Sequence, residues 1–179
     1  MSKFEEVKQK LLMEYEALED ESINEQERVS KVILVTAAIC AGIAVQPIPF
    51  ADIAILTPIQ AFMAMKIGKI KGFEFSQERA KEIVIELGGV VGMGFAAQQT
   101  VLTLYKIGLP FVGGLFTIPL VFGLTYAMGK VAEYYFDQRR AGEPLDKEMA
   151  KKIWTRALTE GRKLGKKQEE EIKKGAESK

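Results

Sequence analysis

A chain of 179 residues with a net charge of +1, 47% hydrophobic residues and a mean hydropathy near zero has room for one domain with a real core. Its balance argues against collagen, extended disorder and a nucleic-acid binder. It carries no histidine and one cysteine, which removes Ser-His-Asp and Cys-His catalysis, haem attachment, most zinc sites and an internal disulfide.

In chain order, Phe4, Val7, Leu11, Tyr15 and Leu18 recur at helical spacing between acids and lysines, so the pattern predicts an amphipathic helix over roughly 2–20. This charged start has no signal-peptide apolar region. Ser22 with Glu25 three residues on forms a capping box. The helix it opens runs through VILVTAAICAGIAV and ends near Val45, because Pro47 and Pro49 push the residues before them into extended backbone. Cys40 lies inside that run and reads as a small buried hydrophobe in a reducing compartment. Asp52 can cap the next helix, with Pro58 in its early turns. A start at Thr57 is the other option, where Thr57 to Gln60 reads as a second capping box. Gly72 closes this helix.

Ser76 starts a fourth helix that continues through GGVVGMGFAAQQTVLTLYK. Gly88, Gly92 and Ala96 recur every four residues in it, a small-residue face for close helix contact. GLPFVGG is the next break. A long helix with Pro119 near its start follows, Gly142 stops it, and Asp146 caps the last helix. Met149, Ile153, Trp154, Ala157, Leu158, Gly161 and Leu164 should share the buried side of that helix, and QEEEIKKGAESK should fray. No strand-like alternation appears, so the expected fold is all-α. It is a single helical domain of 1–179, with a charged amphipathic helix at 1–31, two apolar helical hairpins in 32–140 and a basic helix with its tail at 141–179.

Charge is segregated along the chain: net −4 over 1–31, +1 over 32–129 and +4 over 130–179. The tracts 32–65 and 83–128 hold only Asp52, Glu86 and Lys106 as charges in 80 residues, where about a quarter charged is ordinary. Such depletion means burial in protein or in lipid. A bilayer core of about 30 Å needs about 20 helical residues. The first hairpin has short arms at 32–45 and 53–65. The second has arms near 87–105 and 107–128 that are long enough to span. The charged termini and the basic 66–82 loop would then face the cytoplasm.

Several motif residues point to chemistry only weakly. No P-loop is present, so nucleotide binding by that route is excluded. GGVVGMG lacks a preceding strand and reads as helix packing. Asp52 in an apolar tract is a helix cap or, inside a membrane, an ion site. Gln98, Gln99 and Thr100 read as interhelical hydrogen-bonding groups. WTRALTEGRKLGKK could face anionic lipid, an acidic partner or solvent.

The tract VTAAICAGIAVQPIPFADIAILTPIQAFMAMKIGKIKG, followed later by GLPFVGG and LTYAMGKVAEYYF, resembles the YcjF-like, GTPase-associated helical domains of unknown function. The resemblance covers roughly residues 30–136. It carries over Pro47, Pro49, Asp52, Pro58, Gln60, Gly113, Thr125 and Gly129 as motif residues. It implies a helical module, often membrane-associated, found with or fused to Ras-like GTPases and without known catalysis. This chain has no GTPase domain, so a GTP-linked role would need a GTPase in trans. The leading expectation is a non-enzymatic, membrane-associated module at the cytoplasmic membrane. Lipid and a protein partner would be its ligands, and neither cofactor, metal nor nucleic acid is expected. The alternative is a soluble, oligomeric helical-bundle scaffold. A small ion or solute conduit is a third reading.

Overall fold

The computed structural model describes residues 3–16, 23–45, 55–75 and 113–177. The fold is all-α, and every regular element among the described residues is a helix: α1 Lys3–Glu16, α2 Glu25–Val45, α3 Thr57–Ile70, α4 Gly113–Arg140, α5 Lys147–Lys167 and α6 Glu169–Glu177.

The i, i+4 row of α1 does what its spacing demands. Val7, Leu11 and Tyr15 are buried against α2. The Tyr15 hydroxyl shares a hydrogen bond with Thr36, and the ring stacks on Phe62 of α3 with centroids 5.8 Å apart.

The start of α2 differs from the expected capping box. Asn24 caps it, its Oδ1 accepting the backbone N–H of Glu27 at 2.9 Å. Asn and Ser are equally good caps, and here Asn24 directly precedes the first helical residue, whereas Ser22 lies two positions too early and outside the described residues. Glu25 and Glu27 then sit in the first turn, where the helix dipole favours acids. The helix ends at Val45, as the downstream prolines require. It is the central element, packing against α1, α3, α4 and α6.

Regular α3 starts at Thr57 after a π-type turn at Ile55–Leu56. Pro58 is in its first turn, where a missing N–H costs nothing. The capping box at Thr57–Gln60 does not form. Leu56 stands at the cap with helical angles (φ −68°, ψ −40°) and no side-chain cap bond, and the Gln60 side chain reaches another helix instead. Whether the helical path extends back to Asp52 lies outside the described residues.

The ends of α3 and α4 match each other. Gly72 (φ +86°) and Gly142 (φ +77°) adopt the left-handed conformation. The amides of Phe73 and Glu143 reach back to the carbonyls of Gly68 and Gln138, each at 2.9 Å. This is the Schellman closure that a glycine just past a helix allows. Asp146 then caps α5, its Oδ1 accepting the amides of Glu148 and Met149 at 2.9 and 3.0 Å.

With that short link, α4 and α5 form an antiparallel hairpin, the most extensive helix pair among the described residues. Gly161 lies over Gly123 and Tyr126, and Gly165 lies over Phe122 and Pro119, so advance along one helix is retreat along the other. The buried row of α5 is Ala150, Ala157, Gly161 and Gly165. It is narrower and smaller than the expected apolar side. Met149 faces outward at 42% exposed, and Ile153, Trp154, Leu158 and Leu164 only border the core. The end of the chain also departs from expectation. Residues 169–177 form α6, anchored by Ile172, which is 9% exposed and lies beside Gly42 of α2.

The core collects Ile33, Ile59, Met63, Ile67, Ile118, Phe122 and Phe136 from α2, α3 and α4. The apolar tract 32–45 therefore buries against protein. So does the described part of the expected spanning arm 107–128: its residues 118 to 127 include seven buried side chains, and they belong to a helix that runs on into Lys130, Glu133 and Asp137. Among the described residues, no helix is long and apolar enough to cross a membrane. The other arm of that hairpin, 87–105, lies outside the described residues.

Candidate functional site

Three polar features stand out from the apolar framework. The first is buried. Gln60 of α3 and Thr125 of α4 are 3% and 0% exposed. The Gln60 Nε2 donates to Thr125 Oγ1 at 3.1 Å, across 65 positions of sequence. Thr125 also contacts the thiol of Cys40, which is fully buried. Two of the motif residues thus meet in one interhelical joint. Gly129, one turn further along α4, serves close approach. A Cβ there would stand 2.6 Å from Ile33 Cγ1 of α2. Pro58 starts α3 and Gly113 opens α4. Pro47, Pro49, Asp52, Gly88, Gly92 and Ala96 lie outside the described residues, as do Gln98, Gln99 and Thr100.

The second feature ties three helix ends together. The Lys71 ammonium, its side chain 5% exposed, contacts Asp137 at 2.7 Å and Glu25 at 3.2 Å. Arg140 binds both oxygens of Glu25 at 2.8 and 3.0 Å and reaches Asp137 at 3.3 Å. Two cations and two acids therefore close the end of the bundle where α2 begins and α3 and α4 stop. The hydrogen bond from Arg140, helped by Lys71, holds the Glu25 carboxyl below its usual range against a smaller opposing effect of burial. Burial alone would lower Lys71, but the Asp137 and Glu25 carboxylates outweigh it and raise the ammonium.

The signs set a pH window. Glu25, lowered in the folded state, contributes stability that is present above its ordinary value of 4.5 and lost as pH falls through its folded value. Lys71, raised in the folded state, contributes below its ordinary value of 10.5, and the contribution is lost as pH rises through the folded value. Glu25→Gln should lower the melting temperature at neutral pH, and the gap from wild type should close in acid. A gap of constant size from pH 7 down to pH 2 would show that the carboxylate is not stabilised by these cations.

The third feature is the outer surface of α5. Lys151, Lys152, Arg156, Lys163, Lys166 and Lys167 are exposed there, against Glu148 and Glu160, while Arg162 is exposed at the edge of this face with its stem over Gly123 of α4. A shallow, open hollow runs along this face past Lys152, Thr155, Arg156, Thr159 and Lys163. Beside it, Lys130, Glu133, Tyr134 and Asp137 of α4 and Arg156 and Glu160 of α5 line a second, smaller groove. Among the described residues, no group of three or more His, Cys, Asp or Glu is arranged to hold a metal.

Of the row that seats this basic segment, Ala157 and Gly161 lie on the buried side as the sequence pattern predicts, and Gly165 joins them. The signal for Gly165 was present as small residues every four positions, hidden within a helix dominated by charge.

No family model and no solved structure matches the chain. Over 108 residues it is 34% identical to magnetosome membrane protein 22 of Magnetospirillum gryphiswaldense, an alignment covering 58% of this chain and 53% of that protein. The chain thus spans about half the length of this curated relative.

Proposed function

We propose that this chain is a non-enzymatic, membrane-associated helical module that works through a protein partner. The observation that carries the membrane part is the similarity to a magnetosome membrane protein. Two features of the chain itself support it. The tract 83–112 has two charges in 30 residues, and α5 exposes a face of one dominant sign. The partner part rests on the resemblance of residues 30–136 to GTPase-associated helical domains, which makes a small GTPase in trans the class of partner to test.

Untagged protein expressed in a bacterial cell should pellet with the membranes and resist alkaline carbonate. Deleting residues 83–112 should release it, because no described helix is long and apolar enough to cross the hydrocarbon layer. Recovery of the full chain in the high-speed supernatant, monodisperse without detergent, would overturn the membrane reading. One observation favours that second reading, a bundle scaffold in which the apolar tracts are core: α2 and α3 already bury their apolar faces against each other and α4.

A further inference from the structure

We propose that the outer face of α5 docks flat on an anionic phospholipid surface and that its lysines are the contact groups. The inference rests on the membrane-associated reading above and names the surface and the lipid chemistry.

The face is positive in effect as well as in count. Six exposed cations, Lys151, Lys152, Arg156, Lys163, Lys166 and Lys167, stand against two acids, and both acids are engaged within the protein. Glu148 is held by Lys151 at 2.7 Å, and Glu160 accepts the hydroxyl of Tyr126 at 3.1 Å. Among the described residues, Lys152, Arg156, Lys163, Lys166 and Lys167 are in no ion pair. Thr155 and Thr159, lying between them, direct their hydroxyls back to the helix carbonyls of Lys151 and Thr155. The opposite face of α5 is clamped on α4 through Ala157, Gly161 and Gly165, so the cations sit on a rigid rod. From Lys152 to Lys166 the rod presents them over about 21 Å at 1.5 Å per residue.

Composition favours lipid over an acidic protein. Five of the six cations are lysine. Protein interfaces are depleted in lysine at their centre and enriched in aromatic and arginine anchors, whereas a headgroup layer needs only mobile charge within a Debye length. The antiparallel hairpin adds a placement that the linear sequence hides. Gly165 lies over Pro119 and Phe122, so Arg162, Lys163, Lys166 and Lys167 flank the end of α4 at which the charge-poor tract 83–112 joins the helix. Cations beside an apolar segment are the arrangement that the cytoplasmic side of a membrane selects.

The test is co-sedimentation of the full chain with vesicles of phosphatidylcholine alone or of phosphatidylcholine with phosphatidylglycerol. The wild type should prefer the anionic vesicles, and added salt should weaken that preference. The triple variant Lys152→Gln, Lys163→Gln, Lys166→Gln should lose affinity for them about a hundredfold, at about fivefold per cation removed. The Lys→Arg triple at the same positions should retain binding, and all three proteins should share one melting temperature because the residues are exposed.

Unchanged binding by the Gln triple would overturn the proposal. So would equal binding of wild type to neutral and anionic vesicles, but that result would leave the membrane reading intact. Tighter binding to polyglutamate than to anionic vesicles would overturn it in favour of an acidic protein. Failure to bind any vesicle, together with recovery in the soluble fraction of cells, would overturn both the docking face and the membrane reading.

Discussion

Gly161→Leu should be among the most damaging single substitutions in the described part of this protein. A Cβ at Gly161 would stand 2.8 Å from Tyr126 Cβ and 2.9 Å from the Cα of Gly123. The second contact is backbone and cannot rotate away. Replacing Gly by Ala in a helix ordinarily gains about 1 kcal/mol of intrinsic propensity, but here the added methyl has to push α5 off α4. Leucine adds three more carbons to the same closed contact. Overpacking of this kind costs about 1–3 kcal/mol, and more where backbone has to move.

For a chain of this size each kcal/mol is worth about 2–4 °C in melting temperature. Gly161→Leu should therefore melt on the order of 2–12 °C lower, or fail to fold cooperatively. Gly161→Ala should fall between it and wild type. Gly165→Leu should behave like Gly161→Leu, since its Cβ would meet Phe122 Cβ at 2.7 Å and Pro119 Cα at 3.1 Å. Glu170→Ala, whose side chain is 81% exposed, should change nothing measurable. Thermal melts of the four variants check this. A Gly161→Leu protein as stable as wild type would mean that the hairpin contact between α4 and α5 is not formed.

The buried joint should show an asymmetry between its two partners. Thr125→Val removes the acceptor of the Gln60 Nε2 bond and leaves a whole amide in a 3% exposed site. Its Oε1 already has no partner among the described residues. An unsatisfied buried polar group costs about 1–3 kcal/mol, so Thr125→Val should lower stability by that amount. Gln60→Leu instead removes the amide together with its desolvation cost. It should be nearly neutral, because the Thr125 hydroxyl keeps its contact with Cys40.

The double variant should then be as stable as Gln60→Leu, so that its loss is smaller than that of Thr125→Val alone. A denaturant-melt cycle over the four proteins measures this coupling directly. Additive losses, with the double variant worse than either single, would show that Gln60 and Thr125 are not partners.

The structure also explains why some motif residues were readable and others were not. Gly72, Gly142 and Asp146 act within one or two turns of chain. A positive φ after the last helical residue, or a carboxylate before the first, is a local necessity. The same holds for the end of α2 at Val45 and for Pro58 in the first turn of α3. Ser22 and Asn24 are both competent cap residues for α2, so residue type alone does not separate them. Their difference is a register of two positions, which the backbone decides.

Gln60 and Thr125 were legible only as motif members; their bond spans 65 positions. The same is true of Lys71, Asp137, Glu25 and Arg140, which come from three helix ends. Their charges are ordinary in sequence and become a network only when those ends converge.

By itself, then, the sequence determined the helical class, the described helix ends at Val45, Gly72, Gly142 and Asp146, and the separation of an acidic start, an apolar middle and a basic end, because period, caps and breakers act over a few residues. Tertiary structure decided which small residues make contact. Gly123, Gly161 and Gly165 do so because the turn at Gly142 folds α5 back along α4. It also decided that the tail forms α6, since Ile172 has a place to bury only once α2 presents Gly42. Most consequentially, it placed the lysines of α5 beside the end of α4 that leads from the charge-poor tract, because an antiparallel hairpin reverses direction and brings together residues that the sequence keeps more than forty positions apart.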